Sequence, residues 1–148
     1  MATIKSYSDL QQSKILAEIL PLESADMCLT FVNNVWNPVW GKANDIYQLQ
    51  KDCYEPDYTK DDYVDIDEFE PKVVPCWSLA ALISIIPQEI FDGEYVINIT
   101  EGLNDRWIIT YDSYEHSNHS YYGLSSGADN LVDACYEMIL KLHELKML

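Results

Sequence analysis

Residues 75–87 read PCWSLAALISIIP, the most apolar run of the chain, with a proline at each end. The prolines bound the segment, because the pyrrolidine ring is not tolerated inside a helix. Ser78 is a capping residue type, and Leu79, Leu82, Ile83 and Ile86 recur at i, i+3, i+4 and i+7, the spacing of one helix face. Ala80, Ala81 and Ile85 make the flanks apolar as well. The pattern predicts a helix over 78–86 that is buried on more than one side.

The rest of the chain supplies elements to cover it. Residues 8–20 read as a helix, with Ser8 and Gln11 as a capping box and Ile15, Leu16, Ile19 and Leu20 as its stripe. Pro21 ends it. Met27, Leu29 and Phe31 alternate with Cys28, Thr30 and Val32, which predicts a strand. Asn33, Asn34, Asn37, Pro38 and Gly41 then break regular structure around Trp36 and Trp40, and residues 43–51 form a short helix. Asp92-Gly93 marks a turn. The runs YVINIT and RWIITY, joined by EGLND, predict a β-hairpin over 95–111, with Tyr121 and Tyr122 in a third strand. Asp129 caps a last helix over 130–145, whose apolar face is Leu131, Ala134, Cys135, Met138, Leu142 and Leu145. Helices segregated from an antiparallel meander give an α+β fold. The expectation is one small sheet of three or four strands against three helices (8–20, 78–86, 130–145), in one domain with an acidic surface loop at 52–70.

A chain of 148 residues, 48% hydrophobic, can bury a real core. No run approaches the roughly 20 apolar residues of a membrane span. The opening MATIKSYSDLQQSK is too polar for a secretory leader. Cys28, Cys53, Cys76 and Cys135 are far apart and never form CxxC, so they read as reduced and mostly buried thiols. A cytoplasmic setting follows, and the sequons at Asn98 and Asn118 carry no glycan there.

Twenty-five acids against nine bases give a net charge of −16. That speaks against direct binding to nucleic acid or to an anionic membrane and is compatible with a basic protein partner, with cation binding or with simple solubility. Residues 52–70 hold nine of the acids and a single base, Lys60, a local charge of −8. Tyr54, Tyr58 and Tyr63 lie among them. The protein-binding residues expected here are Asp61, Asp62, Asp65 and Asp67, with Tyr58 and Tyr63 as contact surface. An accessory or inhibitor-like protein could cover a basic site with such a surface, and even mimic the phosphates of DNA.

The same segment admits a cation reading. A calcium loop needs oxygens at positions 1, 3, 5, 7, 9 and 12. Asp57, Thr59, Asp61, the Tyr63 carbonyl, Asp65 and Glu68 fall at those positions, and Phe69 stands where an exiting helix begins its apolar face. Asp62 replaces the glycine of the sharp turn, however, and Pro56 and Pro71 leave no room for flanking helices. A solvated acidic loop is the plainer reading. His116 and His119, near Asp112 and Glu115, could hold a divalent metal, although a polar hairpin tip has the same composition. Cys76 precedes the central helix, where a thiol can become reactive, but its apolar neighbours point to a structural cysteine. No HExxH, P-loop or GxGxxG occurs. The expectation is therefore a protein without catalysis. The alternatives are calcium binding at 57–68 and an enzyme whose site residues come from distant segments.

Four segments, SADM at 24–27, PCWSLAAL at 75–82, WIITY at 107–111 and NLVDACYEMI at 130–139, together resemble a group of small hypothetical proteins of gut anaerobic bacteria and their phages or mobile elements. The resemblance covers most of the chain outside the acidic loop. It implies an accessory product of a bacterial cytoplasm and carries no functional residue with it.

Overall fold

The Pro-bounded segment is half strand and half helix. In the computed structural model, which describes residues 5–116 and 119–148, it contributes to β3 (Val73–Cys76) and forms α3 (Leu79–Ile85). Ser78 caps α3 by accepting the Ala81 N–H at 3.2 Å. The Asp26 carboxylate fixes Ser78 in turn, taking its N–H at 2.9 Å and its hydroxyl at 2.5 Å. Trp77 is fully buried, and its indole Nε1 donates to Ser24 Oγ at 2.9 Å. Ala81, Leu82 and Ile86 face the core, while Ala80 faces solvent and Ile83 is 36% exposed. The helix is thus buried on one side only. Its main helical neighbour is α4 (Leu131–Glu144), which leaves the opposite face open.

The fold is α+β, as the sequence pattern requires, but its strands form two antiparallel sheets instead of one. The first has the order β2-β1-β3, with β1 at Met27–Val32 and β2 at Val35–Trp40. The second has the order β4-β5-β6-β7, from Glu89–Ile90, Tyr95–Glu101, Trp107–Ser113 and Ser120–Ala128. α1 (Leu10–Ile19) and α2 (Ala43–Asp52) complete the set. The hairpin expected over 95–111 is β5–β6.

The segment read as irregular, 33–41, contains β2. Only Asn33 and Asn34 leave the strand, both at positive φ (52° and 62°), as a two-residue hairpin turn demands. Val32 pairs with Val35 at that turn, so Pro38, opposite Leu29, falls in a non-hydrogen-bonded pair. Its nitrogen faces away from β1, and no ladder bond is lost. Pro75 repeats the arrangement on the other side. The Phe31 N–H donates to the Lys72 carbonyl (3.1 Å), which puts the β1–β3 bonds at alternate residues and leaves Pro75, opposite Cys28, between them.

Two helix starts shift by one residue. Asp9, not Ser8, caps α1, in a capping box with Gln12. Ser8 is drawn into the core, where its hydroxyl meets Ser13 Oγ at 2.8 Å and accepts the Trp77 N–H at 3.0 Å. Asn130, not Asp129, caps α4 by accepting the Asp133 N–H. α4 buries Val132 and Ile139 along with the expected Ala134, Cys135, Met138 and Leu142.

The main core joins α1, α3, α4 and the inner face of the second sheet around Leu16, Trp77, Leu82, Ile109, Tyr111 and Met138. Tyr111 donates its hydroxyl to the Pro87 carbonyl (2.5 Å), and burial pushes its pKa up to about 12. Met27, Leu29 and Cys76 form a smaller core beside the first sheet. All four cysteines are free; Cys28, Cys76 and Cys135 are buried and Cys53 is exposed. Among the described residues no helix is long and apolar enough to cross a membrane.

Lys5 ties the N-terminal segment to α4. Its ammonium donates to Asp9 (2.9 Å), Gln12 (2.8 Å) and Asp133 (2.7 Å). Burial opposes its charge, but the bonds to Asp133 and Asp9 outweigh that and raise its pKa. Burial opposes ionisation of Asp133 as well, yet bonds from Lys5, Gln12 and Asn130 hold it below its ordinary 3.8. Asp9 is lowered too, since bonds from the Gln12 N–H and Lys5 outweigh its burial. Carboxylates with depressed folded pKa values add stability that is complete well above 3.8 and is lost as pH falls through the lower folded values. Lys5→Met is therefore expected to cost about 1 kcal/mol at neutral pH and to flatten the acid loss of stability. Urea melts from about pH 6 to about pH 2.5 would measure it. An unchanged acid profile would contradict the role given to Lys5.

Candidate functional site

The acidic loop leaves the end of α2 and returns to β3 at Lys72. Its base is closed by aromatic rings: Tyr54 stacks on Phe69 at 3.8 Å between centroids and 8° between planes. Such a stack needs two aromatics near the two ends of the acidic run, and the sequence holds them at 54 and 69. The Tyr54 hydroxyl then donates across the loop to the Val64 carbonyl at 2.7 Å. Tyr58 and Tyr63 meet edge to face at 4.9 Å and 66°. Glu70 accepts from the Tyr47 hydroxyl and pairs with Lys51 at 3.4 Å, and these two partners lower its pKa.

The carboxylates lie outside this clasp. Asp57, Asp61, Asp62, Asp65, Asp67 and Glu68 are all exposed. The ion pairs among the described residues are Lys5–Asp9, Lys5–Asp133 and Lys51–Glu70, so none of those six carboxylates meets a cation there. Tyr58 and Tyr63 are exposed and pack on each other, giving the loop an aromatic edge.

The residues placed on the calcium pattern, Asp57, Thr59, Asp61, Tyr63, Asp65 and Glu68, are all exposed in this loop. Asp57 Oδ1 accepts the Thr59 hydroxyl (2.5 Å) and N–H (3.1 Å), bonds that lower its pKa. Asp65 Oδ1 takes the Ile66 N–H at 2.9 Å. Phe69 begins no helix; it is engaged with Tyr54. Among the described residues no three His, Cys, Asp or Glu side chains converge as metal ligands.

His116 and His119 stand on the exposed β6–β7 connection with ring centroids 5.7 Å apart. Asn118 lies outside the described residues. Asp112 is occupied elsewhere, accepting from Asn98 (2.7 Å), Thr110 (3.0 Å) and Ser120 (2.7 Å). Although burial opposes it, these bonds hold Asp112 below the usual carboxylate range. The Cys76 thiol is buried and its pKa is raised by that burial, despite hydrogen bonds with Ser8. Cys135 is pushed up to about 12 by burial. Both thiols are buried.

Several grooves mark the surface, two of them away from the histidines. One of about 510 Å³ runs between residues 22–24, the start of α2 and the outer edge of β3, lined by Leu22, Tyr47, Val73 and Pro75. Lys42 at its rim donates to the Glu23 (2.6 Å) and Ala25 (2.8 Å) carbonyls. The other, about 610 Å³, contains the Lys5–Asp133 cluster with Arg106 and Glu137. Neither of these two is lined by a serine, cysteine or histidine, but a groove of about 390 Å³ is lined by His119 and Ser120 and another of about 560 Å³ by Ser113, His116 and His119. Sequence reading also missed the exposed apolar side chains of the β1–β2 hairpin: Val32 at 46%, Val35 at 57% and Trp40 at 69% exposure. Set beside known proteins, the chain matches no family model, no curated protein and no solved structure.

Proposed function

We propose that this chain is a non-catalytic accessory or inhibitor-like protein of a bacterial cytoplasm that binds a basic protein through its 52–70 loop. The observation that carries the reading is a clasped loop presenting six exposed carboxylates that meet no cation within the described protein. Crowding like charges on a short segment is unfavourable, and a basic surface relieves it. The Tyr54–Phe69 stack lowers the ordering cost of binding, because the loop ends are already held together. Free, buried thiols support the cytoplasmic setting.

Replacing Asp61, Asp62, Asp65 and Asp67 together with asparagine is expected to abolish salt-sensitive capture of a basic partner. The association rate should fall by about tenfold or more at low salt. Pull-downs at low and high salt, followed by stopped-flow with the purified partner, would measure this. Capture that is equal for parent and variant would refute the proposal.

A further inference from the structure

The β6–β7 connection carries two of the chain's three histidines, and its backbone is held from both sides. The His119 N–H donates to the His116 carbonyl (2.8 Å), and the His119 carbonyl accepts the Ser113 N–H (2.7 Å). Ser113 Oγ takes the His116 N–H at 3.3 Å, and the Glu94 carbonyl takes the Tyr114 N–H at 3.0 Å. The first of these bonds spans i to i+3, the closure of a tight turn, and leaves the two imidazoles as neighbours, 5.7 Å apart between centroids. A metal–imidazole bond of about 2.1 Å puts an ion about 3.2 Å from a ring centre, so two imidazoles on one tetrahedral ion have centroids about 5.2 Å apart. The pair stands within about 0.5 Å of that span, a difference that rotation in the broad χ2 well of histidine closes. Both histidines line the groove of about 560 Å³, together with Asp92, Glu94 and Glu115. These three acids are exposed, and among the described residues no lysine or arginine lines the groove with them.

We propose that His116 and His119 together chelate one divalent transition-metal ion of the class that favours imidazole, zinc foremost. Imidazole nitrogen suits zinc, nickel and copper, whereas calcium takes oxygen ligands. Among the described residues no third His, Cys, Asp or Glu converges on the pair, so the protein fills two positions of the ion and water fills the others. Asp92, Glu94 and Glu115 add the negative potential that draws a dication into the groove. Chelation supplies the affinity: once one imidazole holds the ion, the second meets it at high effective concentration. The site stands on other residues than the 52–70 loop and needs no basic partner.

The test is a zinc titration of the full, tag-free chain by calorimetry, with Cys53→Ser as background because an exposed thiol competes for zinc. One ion per chain is expected. His116→Gln and His119→Gln should each weaken its binding by about 100-fold. His143→Gln, on α4, should leave it unchanged, as should asparagine at Asp61, Asp62, Asp65 and Asp67 together. Both histidines of the pair are exposed, so folding should survive their replacement. A second reading needs no variant: in the unsubstituted chain, zinc should shift the ring-proton resonances of His116 and His119 and not those of His143. No zinc binding, or binding that survives the loss of either histidine, would overturn the inference and leave the acidic-loop reading standing. Calcium competing on equal terms would overturn it as well, because it would assign the ion to oxygen ligands.

Discussion

Trp77→Ala is expected to destabilise the protein by about 3–5 kcal/mol, near the top of the range for single core substitutions. Trp77 is the largest fully buried side chain. Its ring sits in the main core, its backbone pairs with Ser8, and its indole N–H is held by Ser24. Removing it leaves a large cavity and strips Ser24 of its donor. The surrounding elements cannot collapse freely, because β3 and α3 fix the backbone on either side. For a chain of this size the melting temperature should drop by about 10 °C. Trp40→Ala is the matched control: a 69% exposed tryptophan should change stability by no more than about 0.5 kcal/mol. Urea denaturation followed by far-UV circular dichroism would compare them. Similar midpoints for the two variants would contradict the packing described.

Asp26→Ala should cost about 2–3 kcal/mol, with no large loss of apolar burial. The Asp26 carboxylate receives both the N–H and the hydroxyl of Ser78, the residue that starts α3. Without it, the partly buried N–H loses its acceptor, and the serine is no longer oriented to cap the helix. Asp26→Asn keeps one acceptor oxygen and should fall between parent and alanine variant. If asparagine and alanine are both indistinguishable from the parent, the strap has no energetic role.

Much of this was legible along the chain where local pattern and final environment agree. YVINIT and RWIITY are β-branched runs around a polar turn, and they pair as expected. The apolar positions of the last helix recur at helical spacing, and Ala134, Cys135, Met138 and Leu142 are buried, whereas Leu131 is half-buried and Leu145, past the end of the helix, is exposed. Reading failed where distant residues decide. Ser8 looks like the cap of α1, but Trp77, 69 positions away, claims its hydroxyl, and Asp9 takes over. Ile83 fits the apolar stripe of α3, but it is 36% exposed among the described residues. Pro38 reads as a breaker until its register opposite Leu29 is known. The acidity of 52–70 is a matter of composition and was plain. The clasp of Tyr54 on Phe69 was not, since ring stacking across fifteen positions depends on how the loop folds back.

The two prolines of the first sheet have an effect beyond their own strands. An open strand edge offers a row of amide hydrogens and carbonyls to any passing chain, and VWNPVW, uncharged and rich in tryptophan and valine, would be an inviting template. At Pro38 on one border and Pro75 on the other, a ring carbon stands where an incoming strand would need a hydrogen to accept. Each border is interrupted near its middle, so a fourth strand cannot zip along either. The sheet is finished at three strands, and crowding should not seed fibrils from it.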